Sequence, residues 1–254
     1  MIPLSDVNHQ RRGAPYVNIA LIAINTVVFA YTLFLNDIDQ ALFFYKYGLI
    51  PKELTGGVNF TELRTGFGET LDINSHMPAW GTVFTSMFIH GGVLHYLGNM
   101  IFLWVFGDNV EDRMGHAKYL VFYLLAGVAA AWTQVAIRME SDVPNIGASG
   151  AIAGVLGGYL LLYPFNQVRT AVIFFFIVIV RMPAIYLLGF WIILQLFSGV
   201  GSLDPSIESG VAYWAHIGGF AAGLLGIALL KALYWREPLW PRRQRPSDFW
   251  QVTR

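Results

Sequence analysis

Asn145-Ile146-Gly147-Ala148-Ser149-Gly150 opens an apolar run that extends to Tyr163. One serine thus stands among small residues at the mouth of a candidate membrane helix. Runs of this kind recur along the chain and decide its class. Of 254 residues, 56% are hydrophobic and 13% are charged, and the mean hydropathy is +0.53. A soluble domain carries about 25% charged residues. The chain therefore reads as an all-α, polytopic membrane protein. With no cysteine it has no disulfide, no thiolate nucleophile and no Cys-based metal site.

Before the serine stretch, residues 1–15 form a polar segment with Arg11 and Arg12, followed by a first span from Tyr16 to about Leu35. About twenty apolar residues at ~1.5 Å each cross a hydrocarbon core of roughly 30 Å. The run is too long for a signal peptide and lacks a small-x-small cleavage site, so it is expected to remain uncleaved. Residues 36–82 form a long, aromatic first loop that lies partly in the interface. A second span lies within Val83–Phe106, with Gly107–Lys118 as its polar exit, and a third runs from Tyr119 to Ile137. The fourth is Ser149–Tyr163, ended by Pro164.

Beyond it, Ala171–Val180 is too short to cross and is expected to be interfacial or partly buried. A fifth span follows over Ala184–Val200 and a sixth over Val211–Leu233. The expected architecture is a membrane domain over residues 16–234 and a basic tail over 235–254. Six crossings put both termini on one side. Twelve Lys/Arg would lie there: Arg11, Arg12, Arg113, Lys118, Arg169, Arg181, Lys231, Arg236, Arg242, Arg243, Arg245 and Arg254. Only Lys46, Lys52, Arg64 and Arg138 would face the other way. The positive-inside rule makes the first side cytoplasmic. The tail arginines are explained by orientation and anionic lipid, with no nucleic-acid partner.

In this topology Ser149 and His216 come from different helices at matched depth. An imidazole within hydrogen-bond reach of a hydroxyl can take its proton, which makes serine a nucleophile. Close helix contact is provided for by small residues. Gly150 and Gly154 repeat at four residues, and Gly157 joins Ser149 and Ala153 on a second stripe. On the sixth span, Gly219 and Gly223 lie on the face of His216. Gly147 precedes the serine. His95 and Asn99, at i and i+4, share one face of the second span and can supply N–H donors to an oxyanion. His90 lies off that face. Glycine stripes with serine are also ordinary helix-packing devices, and the pairing with His216 is what separates the readings. There is no H-E-x-x-H, and no Asp or Glu lies inside a predicted span. That removes a zinc site of that kind, an aspartyl dyad and most proton relays. No metal or cofactor is expected.

These motifs resemble the rhomboid family of intramembrane serine proteases. The resemblance rests on Gly147-Ala148-Ser149-Gly150, on Ala215-His216-Ile217-Gly218-Gly219-Phe220-Ala221-Ala222-Gly223, on the spacing of His90, His95 and Asn99, and on Val110-Glu111-Asp112-Arg113-Met114-Gly115. It implies a six-helix bundle in which Ser149 attacks a peptide carbonyl with His216 as base. His95, Asn99 and the Ser149 N–H would hold the oxyanion. Substrates would be single-span membrane proteins cut near the outer end of their helix, entering past the fifth span. Two departures stand out. The aromatic that often packs on the histidine is replaced by Ala153, and the Trp-Arg pair of the first loop reads Trp80-Gly81. The alternative is a catalytically silent relative that binds transmembrane helices. Short ends without added domains suggest a bacterial plasma membrane. The sequence specifies no oligomeric state.

Overall fold

A computed structural model of the chain describes residues 1–7, 13–57, 60–64, 70–74, 77–173, 175–204 and 210–240. Arg11, Arg12 and the tail arginines Arg242, Arg243, Arg245 and Arg254 lie outside the described residues. The order begins with strand β1 (Ile2–Asp6), helix α1 (Tyr16–Thr32), α2 (Asp37–Tyr47), α3 (Pro51–Gly56), β2 (Glu62–Arg64), β3 (Thr70–Asp72) and α4 (Ala79–Thr85). It continues with α5 (Val93–Phe102), a π-helical turn (Leu103–Gly107), α6 (Asp108–Met114), α7 (His116–Ile137) and α8 (Ser149–Leu162). Strands β4 (Gln167–Ile173) and β5 (Ile177–Pro183) precede α9 (Ala184–Gly201) and α10 (Tyr213–Leu229). A π turn, Leu230–Trp235, extends α10.

Among the described residues, His116–Ile137, Ala184–Gly201 and Tyr213–Trp235 are long and apolar enough to cross a membrane. Ala79–Phe88 and Val93–Met114 form a pair bent by 81° that qualifies jointly. Tyr16–Thr32 and Ser149–Leu162 are shorter apolar helices.

α8 occupies the centre. Its glycines make it a poor helix in water, at about 1 kcal/mol each relative to alanine. In the packed interior they permit contact that a side chain would forbid. A Cβ on Gly219 would collide with the Gly150 carbonyl oxygen, and one on Gly223 with that of Gly154. α8 and α10 therefore touch backbone to backbone. On its other side, a Cβ on Gly150 would come within 2.7 Å of the Ala130 Cβ on α7. Tyr119, Tyr123, Tyr159 and Phe106 fill the core beneath.

One expectation needs correction and two gain detail. The chain is mostly helical, not all-α: β1, β4 and β5 form an antiparallel sheet in that order, and β2 pairs with β3. The run Ala171–Val180 is the heart of the β4–β5 hairpin, where its branched residues pair across strands. The helical run in the expected second span begins at Val93, inside the expected bounds, and continues through the expected polar exit as far as Met114. Charges are tolerated there because Glu111, 1% exposed, accepts hydrogen bonds from the backbone N–H groups of Val17 (2.9 Å) and Asn18 (2.7 Å). The carboxylate thus satisfies the orphan donors at the start of α1. Asn18 in turn donates to the Leu103 carbonyl (3.0 Å) and accepts from Tyr119 Oη (2.8 Å).

The described part of the long first loop is docked on the rest of the molecule. Leu49 and Asn145 exchange backbone hydrogen bonds of 3.0 and 2.7 Å, Thr85 Oγ1 donates to the Tyr47 carbonyl (2.7 Å), and Lys52 N donates to the Ser141 carbonyl (3.1 Å). Leu49 and Ile50 are buried beside this seam. Trp80 is 66% exposed.

Candidate active site

Ser149 is the first residue of α8, and its placement is set by the loop before it. Gly147 adopts φ +127°, a conformation that favours glycine, and its N–H donates to the Ser86 carbonyl (2.8 Å). The chain turns there and delivers Ser149 to the helix N-terminus. The first N–H groups of a helix have no intrahelical acceptor, so they point to where an anion can sit.

His216 stands in the first turn of α10, opposite. Its Nε2 is 2.8 Å from Ser149 Oγ, and its Nδ1 is 2.7 Å from Gln195 Oε1 on α9. With the amide oxygen facing it, Nδ1 carries the proton. Nε2 then presents its lone pair to the serine hydroxyl. The three groups form a chain in the order that proton removal from serine requires.

The departure at Ala153 is made good from another helix. Trp191, one turn before Gln195 on the same face of α9, lies 5.7 Å from the His216 ring, and Tyr213 packs on it edge-on at 6.5 Å. Neither Gln195 nor Trp191 was assigned a role from sequence. The available signal was the i, i+4 pairing of an aromatic and an amide within a span.

His95 is brought to the serine as well. A Cβ built on Gly147 would lie 2.7 Å from His95 Nε2 and 3.5 Å from Ser149 Oγ, so both groups border the same space. Asn99 is buried one turn along, and its Nδ2 donates to the His95 carbonyl (3.0 Å), inside its own helix. His90 is buried, with its ring 5.0 Å from that of His95 and 5.7 Å from that of Tyr96. A cavity of about 40 Å³ lies beside the serine, bordered by Ser86, Met87, Gly127, Gln134 and Gly147.

Fold and site together define a helical membrane protein with a hydrogen-bonded serine–histidine pair at the meeting of two glycine-packed helices. It belongs to the rhomboid family: the model of the Rhomboid domain matches residues 78–232. Rhomboid protease GluP of Bacillus subtilis is 33% identical over 115 residues, covering 45% of this chain and 22% of that protein. RHOMBOID-like protein 5 of Arabidopsis thaliana is 28% identical over 220 residues, covering 83% of this chain and 66% of that protein. RHOMBOID-like protein 4 of the same plant is 35% identical over 150 residues, covering 56% and 32%. The chain thus spans between about a fifth and two thirds of the length of these relatives.

Proposed function

We propose that the chain is an intramembrane serine endopeptidase that cleaves single-span membrane proteins near the outer end of their transmembrane helix. The observation that carries this reading is the 2.8 Å contact between Ser149 Oγ and His216 Nε2, made across two separate helices. A serine kept only for packing has no need of an imidazole lone pair aimed at its hydroxyl.

In this reading Ser149 Oγ attacks the scissile carbonyl while its proton passes to His216 Nε2. Gln195 accepts from Nδ1–H throughout and stabilises the imidazolium. The oxyanion is met by the Ser149 backbone N–H, His95 and Asn99, whose amide must leave the His95 carbonyl or use its second N–H. Collapse of the tetrahedral adduct breaks the C–N bond, and His216 returns the proton to the leaving amine. Water then attacks the acyl-serine by the same route, regenerating the hydroxyl and releasing the new carboxylate.

Six crossings are assigned: α1, Val93–Met114, α7, α8, α9 and α10 with its extension. Both termini are assigned to the cytoplasm, the side that the excess of basic residues favours. α8 has 14 residues and is roughly 21 Å long, shorter than the ~30 Å hydrocarbon core. Ser149 therefore lies below the outer surface, where a substrate helix must unwind to reach it. The organism is left open, since the relatives named come from a bacterium and a plant.

The silent helix-binding alternative predicts the same fold without turnover. Co-reconstitution of the chain with a single-span reporter, bearing a small residue near the outer end of its helix, separates the two. Cleavage that disappears in Ser149→Ala supports the protease. Reporter capture without a cleaved product, in wild type and variant alike, supports the alternative.

A further inference from the structure

The β4–β5 hairpin lies at the end of the bundle remote from Ser149, and the proposed chemistry makes no use of it. Its strands pair in unbroken register from Gln167 opposite Pro183 to Ile173 opposite Ile177. At the tip Ile173, Phe175, Phe176 and Ile177 are 57, 83, 79 and 70% exposed, and Val178 and Ile179 are each more than half exposed. A sheet with one face in water alternates apolar and polar residues. Here consecutive residues of β5 are apolar and uncovered on both faces, which marks a contact surface.

Three features select the occupant. Arg169 and Arg181 are direct cross-strand partners, and both are exposed. Like charges placed opposite each other are destabilising unless an anion lies between them. The pair sits four registers behind Ile173 and Ile177, roughly 13 Å at 3.3 Å per residue. The apolar tip thus projects far enough ahead of the cationic pair to cross the ~5–10 Å over which interfacial elements enter the boundary between headgroups and acyl chains. The hairpin also has its roots in the membrane. β4 follows Leu162 of α8 closely, and β5 runs directly into α9, whose Tyr186, Phe190, Ile193 and Phe197 form a continuous exposed apolar belt. Finally, β1 covers one edge of β4, whereas the outer edge of β5 pairs with no strand among the described residues. Open backbone groups cannot enter hydrocarbon, so the hairpin can go no deeper than the interface.

We propose that the paired strands β4 and β5 are an interfacial anchor. Phe175, Phe176 and Ile177 enter the headgroup–acyl boundary of the leaflet remote from Ser149, and Arg169 with Arg181 binds the phosphates of anionic lipids. The partner is a lipid surface, and the anchor fixes the level at which α9 enters the bilayer. This inference depends on the chain being a membrane protein and not on its being a protease.

Because the sequence contains no cysteine, Phe176→Cys gives a unique site for an environment-sensitive fluorophore on the full chain. The labelled protein is reconstituted in phosphatidylcholine vesicles with and without phosphatidylglycerol. The expected result is a blue-shifted emission, quenched several-fold more by lipid spin-labelled near the headgroup than by aqueous iodide. The shift should deepen with phosphatidylglycerol, and Arg169→Gln with Arg181→Gln should weaken that response by about fivefold per arginine, the effect of one cation at an anionic surface. Iodide quenching that matches an aqueous control would overturn the proposal. Self-quenching that rises with protein density, without lipid quenching, would also overturn it and assign the edge to a second copy of the chain.

Discussion

α8 and α9 are apolar helices on either side of the same hairpin, and they are held in opposite ways. All of α8 except Ser149 and Leu160 is buried, and Gly154 and Gly157 lie against the backbone of α10. α9 buries only Ala184, Leu187, Leu188 and Gly199. Ser149, the proposed nucleophile, is therefore built on a tightly constrained helix, while Gln195 and Trp191, which contact the proposed base His216, come from a lightly packed one. Position and orientation are supplied by different parts of the molecule. Damage to α8 should remove the site altogether, whereas damage to α9 should leave the fold intact and misalign His216.

The largest effect should follow from attacking the α8–α10 seam. Gly223→Leu forces a side chain into the Gly154 carbonyl, and overpacking of this kind costs about 1–3 kcal/mol or more. Thermal unfolding in detergent should show a clearly lowered midpoint together with lost activity. An unchanged midpoint would mean that the two backbones do not meet.

At the oxyanion side, Asn99→Ala should reduce cleavage by about 10² to 10³, the usual cost of one donor. Its unfolding midpoint should change little, and an unchanged rate would remove Asn99 from the site.

A smaller effect is expected on α9. Gln195→Leu removes the acceptor for Nδ1–H and should lower kcat by about tenfold, comparable to one hydrogen bond of ~1–1.5 kcal/mol. KM and the unfolding midpoint should stay near wild type. Gln195→Glu keeps an acceptor and adds a charge that favours the imidazolium. It should restore turnover at high pH and move the loss of activity on acidification to higher pH. If both variants merely unfold the protein, α9 is structural and the contrast with α8 fails.

The smallest test concerns pH in the wild type. His216 must be neutral to accept the serine proton, so activity should fall as pH is lowered and Nε2 becomes occupied. A rate that rises on acidification would exclude His216 as the base.

Much of the site could be read from local spacing. Ser149, Gly150 and Gly154, and likewise His216, Gly219 and Gly223, follow the helical repeat, so one strand of text shows which residues share a face. Gln195 was visible as a polar residue in a span, but nothing local aims it at His216, because that contact depends on how α9 packs. The same reason hid the replacement of an aromatic at Ala153 by Trp191. The helical form of α6 was not legible because Asp108, Glu111, Asp112 and Arg113 look like a loop leaving the membrane. The sequence does not show that the buried Glu111 carboxylate closes the N-terminus of α1, more than ninety residues earlier. The sheet was missed because β1 joins β4 across most of the chain, from Ile2 to Ala171.

The most direct test of the Ser149–His216 pair is labelling of the detergent-solubilised protein with a fluorescent fluorophosphonate, which needs no knowledge of the substrate. Wild type should be labelled, and Ser149→Ala and His216→Ala, both folded, should not be. A folded wild type that stays unlabelled while a known serine hydrolase reacts in the same detergent would contradict the account.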